Sequence, residues 1–292
     1  MATLRDIKLR IKGVKSTQQI TKAMKMVATA KLRRATEAIL NARPYVKKIS
    51  VLLSHLVNEE DKQSNPLFAD REIKNVAIVV VTADRGLCGA FNTSIIKEAV
   101  NYIEENINQK GLSYQLYCLG KKGTDYFGRR NYNISAKYPG IFSQIDYTTA
   151  QNLVDEIIPK YLDGSIDKVI LIFNEFKSII QQKIVVEQFL PIKSSDEKEN
   201  QKHESAYYIY EPDQKAIFNY LIPKHLKGQM WRVLLESNAS EFAARMTAMD
   251  NATTNAKELI RTLSLTYNSK RQAAITTEIL EIVSGANALN EA

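Results

Sequence analysis

From Leu4 to Leu56 the chain keeps a single seven-residue register. One column of the repeat reads Leu4, Ile11, Gln18, Lys25, Leu32, Ile39, Val46 and Leu53. The other reads Ile7, Val14, Thr21, Ala28, Ala35, Ala42, Ile49 and Leu56. Thirteen of these sixteen positions are apolar, and the three exceptions, Gln18, Thr21 and Lys25, sit together. A repeat held this long lays its apolar columns along one seam of a supercoiled helix. Pro44 is the residue that conflicts with it, so a kink or a short break is expected there.

The C-terminal third carries a matching stripe. Ala239, Phe242, Met246, Met249, Thr253, Ala256, Ile260, Leu263 and Tyr267 occupy successive seam positions, and the frame then shifts to Ile275, Ile279, Ile282 and Ala286. Neither helix can bury its stripe alone. A segment of different character separates them, so antiparallel pairing is the economical arrangement. At about 1.5 Å per residue the first helix would run roughly 80 Å, and the second, starting near Gly228, roughly 90 Å. Pro212 is expected to open the preceding helical region, and Pro223 and Gly228 to interrupt it.

Between the two stripes the period changes. Ile73–Thr82, Leu112–Leu119, Lys168–Phe176 and Lys183–Leu190 read as strands, the last two paired through a turn at 178–182. Thr93–Asn106 and Thr148–Leu162 read as amphipathic helices. Strands alternating with helices imply a layered and partly parallel sheet. Lys193–Ser205 is polar and charged, and reads as an exposed loop. The expected fold class is an α/β central domain with a long antiparallel coiled coil formed by the N- and C-terminal helices. Its divisions are 1–60 for the first helix, 61–210 for the central α/β domain and 211–292 for the second helix.

Charge is unevenly placed along the 292 residues. Residues 1–50 hold thirteen Lys and Arg against Asp6 and Glu37, a net of +11, which leaves −3 for the rest of a chain whose total is +8. A basic helix on a near-neutral body points to an acidic partner. No apolar run approaches the ~18 residues of a membrane-spanning helix, and the N-terminus has no signal-peptide core. Cys88 and Cys118 form no metal-ligand spacing and no disulfide framework, which fits a reducing, cytosolic setting.

The segment Thr82–Asn92, TADRGLCGAFN, joins a strand to a helix through Gly86 and Gly89, where phosphate loops are found. A Walker loop needs Lys and Ser or Thr after its last glycine, and Ala90 and Phe91 stand there instead. A tight packing turn is the default. His55, His203 and His225 are scattered and read as surface residues, and Glu59/Glu60 and Glu104/Glu105 read as solvated helix faces. Cys88 reads as a small packed residue. No catalytic constellation, cofactor site or metal site is expected. The basic face of 5–34 keeps a nucleic-acid-binding or scaffold reading open, although its charges flank an apolar seam rather than stacking aromatics. An enzyme using a nucleotide at Gly86–Gly89 is a third reading.

Three blocks carry a family resemblance. KSTQQITKAMKMVATAKL (Lys15–Leu32), DRGLCGAFN (Asp84–Asn92) and the stretch Ser240–Leu289 resemble, in order and spacing, ATP synthase gamma subunits. The third block holds Ile275-Thr276-x-Glu278-x-x-Glu281-x-x-x-Gly285-Ala286. The resemblance implies a rotor inside a ring of three alpha and three beta subunits, with the α/β domain touching the epsilon subunit and the c-ring. It implies peripheral attachment at the cytoplasmic face of a bacterial inner membrane, and no active site on the chain. By motif position it implies beta-subunit contacts at Arg271, Gln272, Thr276 and Glu278, and at Met24 and Lys25, which would face acidic segments of beta. Gly86 and Gly89 would be structural turn residues. The polar break at Gln18, Thr21 and Lys25 would lie where the rotor meets those subunits. The cysteine insertion of chloroplast members is not seen.

Overall fold

A computed structural model describes residues 3–56, 65–69, 71–179, 181–192, 211 and 213–290, with the side chains of 54, 55 and 287–290 outside the description. The expected loop at 193–205 lies outside these residues. By packing the chain divides into two compact units, Met1–Ala28 with Met246–Ala292, and Thr29–Arg245.

Helix α1 (Leu4–Leu56) opens on a reciprocal cap: Thr3 N–H donates to Asp6 Oδ2 at 2.9 Å and Asp6 N–H to Thr3 Oγ1 at 3.2 Å. All sixteen heptad positions are buried or half-buried. The helix passes Pro44 without the break expected there. Pro44 is exposed while Val46 and Ile49 behind it are buried, so seam packing carries the helix across the missing N–H.

The sheet follows. In chain order the elements are β1 (Asn75–Val81), α2 (Phe91–Asn106), a 3-10 turn at Asn108–Lys110, β2 (Ser113–Leu119), α3 (Lys121–Gly128), β3 (Ile134–Tyr138), α4 (Tyr147–Leu162), β4 (Lys168–Phe176) and β5 (Gln182–Leu190). Their order across the sheet is β3-β2-β1-β4-β5, parallel except for the antiparallel pair β4/β5. Alternation sorts the strands' side chains onto two faces. Val76, Ile78 and Val80 meet Ile95, Ala99 and Ile103 of α2 and Phe127 of α3. Ala77, Val79 and Val81 meet Leu153, Val154 and Ile157 of α4, with Leu53 of α1 and Leu226 of α5 in the same core.

Helix α5 (Gln214–Asn290, 77 residues) is capped by Asp213, whose Oδ1 accepts the Ala216 N–H at 2.8 Å. It therefore starts well before Gly228 and is not interrupted at Pro223 or Gly228, contrary to expectation. Phe218, Ile222, Leu226, Met230 and Val233 form one buried stripe across both residues, and that packing overrides local propensity. Gly228 lies where an added Cβ would stand 3.6 Å from Val46 Cγ2. No helix among the described residues is long and apolar enough to cross a membrane.

The seam is antiparallel in each unit. In the 1–28/246–292 unit, four residues forward from Thr21 to Lys25 correspond to three back from Thr253 to Asp250. In the other unit Arg43 meets Glu236 and Lys31 covers the ring of Phe242.

Candidate functional site

In the 29–245 unit, strand order reverses between β1 and β4, where an open parallel sheet leaves a crevice at its carboxyl edge. Nucleotides bind there in many α/β proteins. Here α5 fills it. Glu236 Oε2 accepts the Phe176 N–H at 3.0 Å, Ser240 Oγ donates to the Asn174 carbonyl at 3.2 Å, and Arg245 Nη1 donates to the Gly86 carbonyl at 2.6 Å. Arg245 is held by Glu241 at 2.6 Å, a buried pair one helical turn apart. Burial pushes the Glu241 carboxyl above its ordinary pKa, with the Arg245 guanidinium opposing.

The turn after β1 is satisfied from within. Asp84 accepts three backbone N–H groups, from Lys121 at 2.9 Å, Gly140 at 2.7 Å and Phe142 at 3.0 Å, and so ties together the loops after β1, β2 and β3. Asn92 Oδ1 accepts the Ala83 N–H at 2.9 Å. A carboxylate at the centre of these loops takes up three of the backbone N–H groups that a phosphate would need, as a packing turn does. Gly89 has φ +59, which favours glycine, whereas Gly86 acts through the carbonyl that Arg245 holds. Leu87, also at positive φ, projects into solvent.

Sequence reasoning missed Gly120 and Gly123. Gly120 has φ +93, and a Cβ on it would lie 2.0 Å from the Thr82 carbonyl oxygen; one on Gly123 would lie 2.9 Å from Thr82 Oγ1. The signal was present as a second glycine pair straight after a strand. Missed too were α3, whose eight residues hold two glycines, and β3, an edge strand of only five. His225 is a correction: it is buried, not on the surface, and burial lowers its pKa to about 4. His203 and the His55 side chain lie outside the description. Burial raises the Cys88 thiol, and the Cys118 thiol to about 12, so neither is poised as a thiolate nucleophile. Among the described residues no group of three His, Cys, Asp or Glu could hold a metal.

In the 1–28/246–292 unit the polar break in the heptad finds partners inside the chain. Thr21 and Thr253 hydroxyls meet at 2.8 Å, and Lys25 Nζ reaches Asp250 at 2.6 Å. Met24 beside them is half-buried. Arg271, Gln272, Thr276 and Glu278 all lie exposed on α5, about 30 Å of helix beyond Asp250. The two groups of expected contact residues are therefore separate stations. Ile275, Ile279 and Ile282, expected on the seam, are exposed instead, Ile282 at 65%. Carried back along α1, the Thr21–Thr253 register brings Leu4 opposite the level of Lys270. Beyond it no described residue of α1 is left to cover them.

Paired seam helices on an α/β domain whose sheet crevice is filled by α5 define a coiled-coil subunit with a long stretch of exposed helix. The comparisons agree. A family model described as ATP synthase matches residues 3–289. The ATP synthase gamma chain of Chloroherpeton thalassium is 53% identical over 303 residues, covering 100% of this chain and 99% of the relative. That of Chlorobaculum tepidum is 50% identical over 295 residues, covering 100% of both. Among solved structures, a chain of the Tetrahymena thermophila mitochondrial ATP synthase central stalk and c-ring matches with TM-score 0.60 and 26% identity, covering 80% of this chain and 99% of that one. A chain of the Euglena gracilis mitochondrial enzyme shares the fold with TM-score 0.64 at 20% identity, covering 98% and 94%. The chain belongs to the ATP synthase gamma-chain family.

Proposed function

We propose that the chain is the central-stalk gamma subunit of a proton-translocating F-type ATP synthase. It turns inside a ring of alpha and beta subunits and passes c-ring rotation to ATP synthesis or hydrolysis on beta. One asymmetric pair of helices inside a three-fold ring presents a different face to each beta subunit, so the three catalytic sites cannot share one state. The observation that carries this reading is the bare end of α5: Ile275, Ile279, Leu280, Ile282 and Val283 are exposed on a helix that an isolated protein would have reason to cover.

In this reading 1–60 and 211–292 form the shaft and 61–210 the domain that meets the epsilon subunit and the c-ring. Arg271, Gln272, Thr276 and Glu278 contact beta at one station, and Met24 with Lys25 at another. Lys25 remains half-exposed within its pair with Asp250. An exposed ion pair of that kind contributes about 0–1 kcal/mol, so it can exchange its partner for an acidic group of beta at little cost. Gly86 and Gly89 shape the turn. The chain catalyses nothing by itself and sits peripherally at the cytoplasmic face of the bacterial inner membrane.

The test is purification through a tag on this chain. Alpha, beta, epsilon and c subunits are expected in the eluate, with ATPase activity in the assembly and none in the isolated chain. Turnover by the pure chain, or salt-sensitive DNA binding without alpha and beta, would reject the proposal.

A further inference from the structure

In the 29–245 unit a groove of about 880 Å³ opens between α1, the start of α4 and the early turns of α5. Tyr45, Tyr147, Tyr220 and Trp231 line it, together with Lys224 and Lys227. Tyr45 and Tyr220 are 52% and 63% exposed, large apolar bodies left at a surface although the core lies close behind them. Trp231 stands edge-on to Tyr147, centroids 5.9 Å apart, which stiffens the wall. Aromatics of this kind, rigid and carrying one polar tip, supply most of the energy in protein interfaces.

The charged groups in the lining are both cations. Lys224 Nζ lies 4.2 Å above the Tyr220 ring, with Tyr45 and Tyr147 close enough to influence it. Lys227 is matched by Asp155 at 2.8 Å. Lys224 has no carboxylate partner among the described residues. Asn41, Gln151 and Asn219 add amide donors, and no acidic residue among those described lines the groove. An unmatched ammonium among hydroxyl and amide donors fits a carboxylate, while Ala42, Pro223 and Trp231 leave apolar surface beside it.

We propose that this groove docks an acidic peptide segment of an assembly partner. An aspartate or glutamate would sit on Lys224 and the tyrosine hydroxyls, with a neighbouring apolar side chain packed against Ala42, Pro223 and Trp231. The proposal rests on the stalk reading and adds to it a surface and a recognition chemistry.

A photoreactive benzoylphenylalanine at Asn219, in the assembly purified through a tag on this chain, tests it. Irradiation should yield one adduct, mapping to a partner segment with Asp or Glu within a turn of the cross-linked residue. Lys224→Glu should lower the yield about tenfold, the scale of losing one charge-assisted contact. Lys224→Arg should retain it, and so should Lys215→Glu, an exposed change on the same helix outside the groove. No adduct, an adduct to nucleic acid, to a second copy of this chain or to a segment without acids, or a yield indifferent to Lys224→Glu would overturn the proposal. Recovery of alpha and beta separates the two ideas. With them present, a silent groove fails alone; without them, the stalk reading fails and the groove proposal with it.

Discussion

Gly120 shows how much can rest on one missing side chain. Its backbone has φ +93 and its Cα faces the Thr82 carbonyl, which a Cβ would approach to 2.0 Å. Neither party can yield, because the same carbonyl segment carries Thr82 Oγ1, the acceptor for the Gly123 N–H at 2.8 Å. Gly120→Ala should therefore cost more than about 3 kcal/mol. Gly111→Ala, at φ +66 with nothing within 4 Å, should cost about 1 kcal/mol. Urea denaturation of the two variants measures the difference, and equal costs would contradict the close approach. His225 makes a prediction of the opposite kind. Burial, and then Arg232, lower its pKa to about 4 from 6.5. The unfolded chain thus takes up this proton first as pH falls. The stability His225 permits is complete above pH 6.5, is lost between 6.5 and about 4, and changes no further below. The loss integrates to about 3 kcal/mol. Stability measured from pH 7.5 to 4.5 should fall in the wild-type chain and fall less in His225→Leu, and parallel curves would refute the assignment. Sequence alone misplaced this residue, because the stripe that buries His225 becomes visible only when α5 is seen to begin at Gln214.

At the level of elements, the long helices were legible because a seven-residue repeat is redundant: thirteen matching positions outvote one proline. The same reasoning failed at Pro223 and Gly228, where local breakers were given more weight than the stripe from Phe218 to Val233 that crosses them. It failed again at Ile275–Ile282, whose spacing implies a partner but does not say whether the same chain supplies it. The central strands were legible by their β-branched runs. The small elements α3 and β3 were not, since eight residues with two glycines and five residues on a sheet edge carry too little periodicity. For the site, the TADRGLCGAFN turn was visible, but the way α5 fills the crevice beside it with Glu236, Ser240 and Arg245 requires tertiary structure. The polar break in the seam is open to direct measurement. Each hydroxyl has a backbone acceptor in reach, the Gln18 carbonyl at 3.1 Å for Thr21 and the Met249 carbonyl at 2.7 Å for Thr253, and either can turn its proton to the other across 2.8 Å. Thr21→Val and Thr253→Val should each cost about 1 kcal/mol, and the double variant less than their sum, because two valines leave no stranded hydroxyl. Strict additivity in a denaturation cycle would show that the two hydroxyls do not interact.

For the molecule as a whole, stability and mechanical coupling should be separable. Residues 271–286 are all exposed and so contribute little to the fold, while in the proposed assembly they are where the shaft is gripped. Their role can be probed without disturbing the protein that carries them. Arg271→Ala with Gln272→Ala should leave the unfolding midpoint of the free chain unchanged, since surface substitutions away from caps and buried pairs stay within about 0.5 kcal/mol. In membrane vesicles carrying the assembled enzyme, the same pair should lower ATP-driven proton uptake by more than it lowers ATP hydrolysis. A grip that slips wastes turnover rather than preventing it. A control pair earlier on the same helix face, Lys257→Ala with Arg261→Ala, removes two positive charges from exposed positions where the first pair removes one, and should still change the ratio of uptake to hydrolysis less. If both pairs shifted that ratio equally, loss of positive charge anywhere on the shaft would explain the result and the station at Arg271 would be lost. If neither did, torque would have to enter through the station at Met24 and Lys25, where the Lys25–Asp250 pair already shows a lysine able to hold a carboxylate while half-exposed.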